Sequence, residues 1–412
     1  MKRQILMNLK KRKEKMYEFY YKAYGQMIKK RRLELKLTQE FVAKAICSNT
    51  YISKAENNQV LIGEEQLFQI MEKLNIRRTE FAKPETLVYY LEKIINLFYY
   101  EDLTEYKKLA DKVEDYQFHV VTEIVKLGYL VLDKNYKKAK KISDQLLDYL
   151  NSMDELAFTL YLVFSSFLNV KLNNIKLAKY LIEAANVVDF EFMNLYNLIL
   201  YTKFIVYGKS HLQMITQAKY NELIIKLGES YNYNRTKEVM VWKALFNEYN
   251  NISNDLYDIE DLIKDVDIDL VDEFLLIRAI NTSSPKDYID LFKSKENEYY
   301  MICLYLCAKE ALNKQDNDLV KEYQKKISNL HYKVGSKVDY NNLLNLEKKN
   351  NFSFYKEYLI NPCFKNAKEK ENIFLMNRIT NKIVETLKFR NRYKDALNYR
   401  ERLLKDIKMI QT

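Results

Sequence analysis

The sequence predicts an all-α protein, with a small bundle of short helices first and a long array of helix pairs after it. Three observations predict this. The 412 residues include only 6 Gly and 3 Pro, against an average usage of roughly 7% and 5%, so the punctuation that hairpins and βα loops need is scarce. The 35 Tyr and 20 Phe recur at three- and four-residue spacings, as in Tyr196, Ile199, Leu200 and Phe204, which is the period of a helix face. Short polar breaks at 132–136, 172–175, 250–255, 281–285, 313–318 and 391–393 separate the apolar periods, and such short links join antiparallel neighbours. A hydrophobic content of 48% provides ample core.

The chain reads as three parts: a basic leader over 1–23, a helical bundle over 24–80, and a repeat region over 81–412. In the leader, Leu6, Leu9, Lys13, Met16 and Tyr20 have helical spacing. It reads as a solvated arm, with a reach to phosphates or a part in a dimer as alternatives. It lacks the apolar run and small-residue cleavage site of a secretory signal.

In the bundle, a helix begins at Ile28 and ends near Lys36. Thr38, followed by Phe41 and Val42, offers a capping hydroxyl for a second helix over 39–45. Ser48 caps a third over 49–57, whose inward positions are Ile52 and either Ala55 or Glu56. A fourth places Leu67, Ile70, Met71 and Leu74 on one face. Short helices with a three-residue turn between the second and third make a helix-turn-helix.

Charge is divided unevenly. Of 67 Lys+Arg and 56 Asp+Glu, residues 1–83 hold 19 and 9, and the remainder 48 and 47, so nearly all of the +11 excess lies in the first fifth. That is the footprint of a polyanion-binding module, and double-stranded DNA is the leading partner.

The motif Leu37-Thr38-Gln39-Glu40, then Ala43, then Ile52-Ser53-Lys54 and Glu56-Asn57 resembles the lambda-repressor-type (Cro-like, or XRE) helix-turn-helix family over residues 24–78. Two turn positions where that family often has glycine carry Lys36 and Ile46. The resemblance implies that the third helix lies in the major groove, so Ser48, Asn49, Thr50, Tyr51 and Lys54 are the expected DNA-reading set. Gln39 would contact a phosphate, as would Lys29 and Arg32, with Lys30 and Arg31 as further candidates. Ser53 and Glu56 read as residues that hold the unit together. Tyr51 is open between a base contact and packing.

Beyond Pro84, Asn135-Tyr136-Lys137-Lys138-Ala139, Asn174-Ile175-Lys176-Leu177-Ala178 and Arg392-Tyr393-Lys394-Asp395-Ala396 repeat one pattern, a small residue three places into a helix. This resembles the second helix of a tetratricopeptide unit, and implies a right-handed α-solenoid with a groove for an extended partner. A lambda-repressor-like domain before such a solenoid resembles the Rgg/PlcR-type (RRNPP) quorum-sensing regulators of Gram-positive bacteria, including the phage arbitrium receptors. The resemblance implies a homodimeric transcription regulator answering to a short signalling peptide. Asn194, Asn197 and Tyr201, on one helix face, are the candidate peptide contacts, with ordinary polar positions as the alternative reading. Two alternatives stand beside this reading: a DNA-tethered scaffold for a protein partner, and a regulator with a small-molecule effector.

Other functions find no residues to carry them. His119, His211 and His331 lie far apart with no nucleophile motif, so no catalytic residues are expected. Cys303 and Cys307 are spaced as two metal ligands, yet nothing supplies the others, and they read as buried small hydrophobes. No phosphate-cradling glycine loop occurs, so no cofactor is expected. The most apolar stretch, 195–207, already contains Asn197 and Lys203 and is too polar to span a membrane. Four cysteines in so long a chain fit a reducing cytoplasm.

Overall fold

The computed structural model describes residues 24–57, 59–77, 84–116, 119–185, 192–252, 261, 263–349 and 352–411. The expected leader lies outside them. Among the described residues every regular element is helical, so the all-α class is what the chain adopts. None of these helices is long and apolar enough to cross a membrane.

Two compact units emerge. The first holds the described residues up to Leu172 with Tyr180–Thr202, and the second holds Asn173–Lys179 with Lys203 onward. The first unit opens with α1 (24–34), α2 (Gln39–Ala43), α3 (Asn49–Glu56) and α4 (Glu64–Lys73). Tyr24, Met27, Ile28, Val42, Ile52, Ala55, Leu67, Ile70, Met71 and Leu74 form one buried cluster, which confirms the inward faces read from periodicity. After it come the helices α5 (Pro84–Tyr99), α6 (Leu103–Lys112), α7 (Val120–Leu132), α8 (Tyr136–Leu146) and α9 (Glu155–Lys171). Helix α1 is joined to this body by Lys30, whose Nζ lies 3.0 Å from Glu123 on α7. The divide between the units falls within α10 (Ile175–Ala184) and α11 (Met193–Lys209).

In the second unit α12 (Gln213–Glu229) packs on α13 (Tyr233–Tyr249), which in turn packs on α14 (Ile268–Thr282). The short α15 (Pro285–Tyr288) leads to the pair α16 (Glu298–Asn313) and α17 (Asn317–Val334). There follow α18 (Tyr340–Lys348), α19 (Phe352–Tyr358), a π-helical turn over Leu359–Phe364, and α20 (Lys365–Glu369). The chain closes with the pair α21 (Ile373–Phe389) and α22 (Tyr393–Gln411).

One turn, used again and again, makes these pairs. A residue in the left-handed region ends the first helix: Glu101, Tyr231, Gln315 and Glu371 have φ of 58°, 54°, 61° and 48°. The next residue donates its backbone N–H five places back, as Asp102 to Leu97, Asn232 to Leu227, Asp316 to Ala311 and Asn372 to Ala367, which is a Schellman closure. That same residue then caps the second helix, its side chain accepting from Glu105, Arg235, Leu319 and Leu375 N–H respectively. One Asp or Asn thus satisfies orphan groups at both helix ends.

The expected repeat positions hold. Helices start at Tyr136, Ile175 and Tyr393, and Ala139, Ala178 and Ala396 are buried. Two of the scarce glycines do other work: a Cβ on Gly128 would sit 2.1 Å from Tyr106 Oη, and one on Gly208 2.1 Å from the Phe246 ring. They let aromatic side chains approach a helix backbone.

Candidate nucleic-acid interface

Local chemistry sets the frame of the bundle. Thr38 accepts from Phe41 N–H and Ser48 from Tyr51 N–H, both at 3.1 Å, so both expected caps form and fix where α2 and α3 begin. Helix α2 ends at Ala43 rather than at 45. Of the two expected glycine positions, Lys36 does adopt φ 54°, but in the second turn Ala45, not Ile46, takes the left-handed conformation at φ 66°. The chain accepts this strain, on the order of 1–2 kcal/mol per residue, to turn the helices.

Helix α3 buries Ile52, Ala55 and Glu56 and exposes Ser48, Asn49, Thr50 and Lys54. Glu56 is the hub beneath it, only 1% exposed. Arg32 grips it in a fork, Nε to Oε1 at 2.6 Å and Nη2 to Oε2 at 2.8 Å, and Arg32 Nη1 also donates to the Leu37 carbonyl at 2.9 Å. Gln39 Nε2 donates to the same Glu56 Oε2 at 2.8 Å. The hydrogen bond to Glu56 raises the Arg32 pKa against the opposing cost of burial. Helices α1, α2 and α3 are therefore locked through one carboxylate.

The structure gives part of the expected DNA-contacting set partners within the bundle. Arg32 is bound to Glu56 and braces α1 against α3, and Gln39 is oriented by the same group. Lys30 is buried against Glu123. Arg31 spends its Nε on the Leu74 carbonyl at 3.0 Å. Of that cationic run, Lys29 is half-buried with no ion pair among the described residues. Tyr51 is half-buried, its hydroxyl 2.8 Å from the Leu61 carbonyl and 2.9 Å from Gln66 Oε1, which ties it to the loop before α4. Lys36 and Lys44, both exposed in turns flanking α2, were passed over in the sequence. Lys36 is itself the left-handed turn residue and Lys44 precedes one, Ala45.

Asn194, Asn197 and Tyr201 do share one face, but it is turned inward. Asn194 Nδ2 donates to Asn96 Oδ1 at 2.7 Å and Asn197 Nδ2 to Tyr99 Oη at 3.3 Å. Tyr201 stacks on Phe167 with centroids 6.0 Å apart. Asn197 and Tyr201 are fully buried, so these two are core residues between helices, not the lining of an open groove.

Residues 28–81 match the helix-turn-helix family model HTH_3. The N-terminal domain is a helix-turn-helix DNA-binding domain. No curated protein matches the chain by sequence. Among solved structures, the apo form of the quorum sensor NprR from Bacillus thuringiensis is similar at 11% identity and a TM-score of 0.53, covering 78% of this chain and 99% of that one. The likeness is one of fold, in the helical body that makes up most of this chain. PlcR from Bacillus thuringiensis, in complex with the peptide PapR7 and DNA, matches at 16% identity over 75% of this chain and 94% of its own, with a TM-score of 0.18. A bacterial peptide pheromone/receptor complex matches at 14% identity over 74% and 98%, with a TM-score of 0.19. These two superpose too poorly to add to the fold assignment.

Proposed function

We propose that this chain is a cytoplasmic, homodimeric, non-enzymatic transcription regulator that reads a DNA operator with α3 and answers to a short signalling peptide bound by its helical repeats. The observation that carries the DNA role is the exposed face of α3. Ser48, Asn49, Thr50 and Lys54 project from a helix that Glu56, Arg32 and Gln39 hold rigidly from below. Side chains that reach base edges need such a fixed platform, because a base contact discriminates only if its geometry is held. Lys29, Lys36 and Lys44 are positioned to add phosphate contacts, each steepening the salt dependence by about one unit.

The peptide-responsive part rests on the fold likeness to a quorum sensor and on the resemblance to Rgg/PlcR-type regulators, and on no individual residue. In this reading a ligand biases how far apart two recognition helices are held, and half-sites about 34 Å apart accept only one arrangement. The test is fluorescence anisotropy with DNA from upstream of the protein's own gene, over a salt series, with and without short peptides encoded beside it. Salt-sensitive, sequence-selective binding that shifts with one peptide supports the whole reading. Selective binding indifferent to every peptide keeps the DNA role and removes the peptide. Equal affinity for unrelated DNA refutes recognition by α3.

A further inference from the structure

The second unit holds a cavity of about 620 Å³ between the π-helical turn over Leu359–Phe364, α21 and α22, a size within the range of small-molecule sites. Its floor is apolar, formed by Ile360, Phe364, Ile383 and Leu403. Two features mark it as more than a packing gap. One wall is a π-helical turn, a rare geometry that concentrates at functional sites because it displaces side chains from the regular helical register. The other is Thr380, which is 2% exposed and lines the cavity. Thr202, Thr216, Thr236, Thr282 and Thr386 each donate to the carbonyl four residues back. Thr380 sits in mid-helix too, yet no described residue takes its hydroxyl. Its hydroxyl is therefore open to a molecule in the cavity.

The rim decides the sign of the ligand. Lys368 is committed to Asp406 at 2.7 Å, Glu369 to Lys337 at 2.5 Å, and Glu371 Oε2 accepts from Lys176 N–H at 2.8 Å. Lys365 and Arg402, both exposed at the mouth, have no such partner among the described residues. Lys365 and Arg402 outnumber Glu371, whose charge meets only a neutral N–H, so the excess charge at the rim is positive, above an apolar floor with one free hydroxyl. We propose that this cavity binds a molecule with an anionic head and an apolar body, its carboxylate held by Arg402 and Lys365 and a further polar atom by Thr380. That chemistry is shared by a small organic acid and by the apolar C-terminal residue of a peptide. The site is separate from the DNA-reading face, so neither its failure nor its success decides the DNA role.

The experiment titrates the full chain with anilinonaphthalene sulfonate, an anion with an aromatic body, and follows its fluorescence. A saturable component, displaced by octanoate or by an acetylated dipeptide ending in leucine, is expected. Lys365→Gln with Arg402→Gln should weaken it about tenfold or more, since charge-assisted hydrogen bonds are stronger than neutral ones. Thr380→Val, which keeps the shape, should weaken it several-fold, and Arg400→Gln, an exposed arginine outside the cavity, should leave it unchanged. Displacement by octanoate alone identifies a small acid. Displacement by the dipeptide but not its C-terminal amide identifies a peptide end. Probe affinity unaffected by the double substitution, or indifferent to both competitors, overturns the proposal.

Discussion

Replacing Arg32 by Met separates the two roles open to that residue. In the structure it forks onto Glu56, with side chains 11% and 2% exposed. Removing one partner of a buried pair leaves an uncompensated charge, which costs roughly 3–5 kcal/mol. Only Gln39 would then remain to the Glu56 carboxylate, so the upper part of that range is expected. A bundle of this size holds on the order of 3–5 kcal/mol by itself, so Arg32→Met should bring it close to unfolding. Amide hydrogen exchange over 49–56, with urea denaturation of the full chain, reads this directly. The companion variant Arg32→Met with Glu56→Leu removes both charges, and apolar replacement of a buried pair is often neutral. It should recover to within about 1 kcal/mol of the parent. Were Arg32 a phosphate ligand instead, Arg32→Met would leave stability within about 0.5 kcal/mol and lower the salt slope of DNA binding by about one. That result would refute the brace.

Other expectations follow from the same geometry. Asn49→Ala should cost about 1–3 kcal/mol of operator discrimination, while Lys54→Ala should weaken binding more evenly across sequences, as competition assays on single-base operator variants will show. Burial, reinforced by nearby Lys30 and Lys209, lowers the pKa of His119 to about 3 and of His211 to about 4. Their stabilising effect is thus full above the ordinary value near 6.5 and lost as pH falls, by about 2 kcal/mol per histidine at pH 5. His119→Gln with His211→Gln should flatten urea midpoints between pH 7 and 5. Gln315→Gly, at an exposed residue with φ 61°, should raise stability by up to about 1 kcal/mol. Gly208→Ala should lower it by about 1–3 kcal/mol, because its Cβ meets the Phe246 ring.

Much of the local structure was legible in the residues, because short-range rules govern it. Thr38 and Ser48 cap where a hydroxyl precedes an apolar period. Leu67, Ile70, Met71 and Leu74 go inside because their spacing matches the helix. The turns before Tyr136, Ile175 and Tyr393 fall at polar breaks. Scarce glycine did not mean absent left-handed turns, however, since Glu101, Tyr231, Gln315 and Glu371 all adopt that conformation. The Schellman bonds hold it in residues that propensity alone would not choose.

The sequence by itself determined the helix class, the positions of the turns, the repeat alanines and the inward and outward faces of α3, all of which follow from the order of neighbours along the chain. Tertiary structure alone decided which polar groups remain available to a partner. Arg32 looked like one cation in a row of four until Glu56, 24 residues away, claimed it. Asn197 and Tyr201 lie on α11, which carries apolar residues all round, so periodicity marks no outer face. Their burial was settled by Tyr99 and Phe167 on other helices. Availability of a charge or hydroxyl is a property of its distant neighbours, and only the folded chain brings those together.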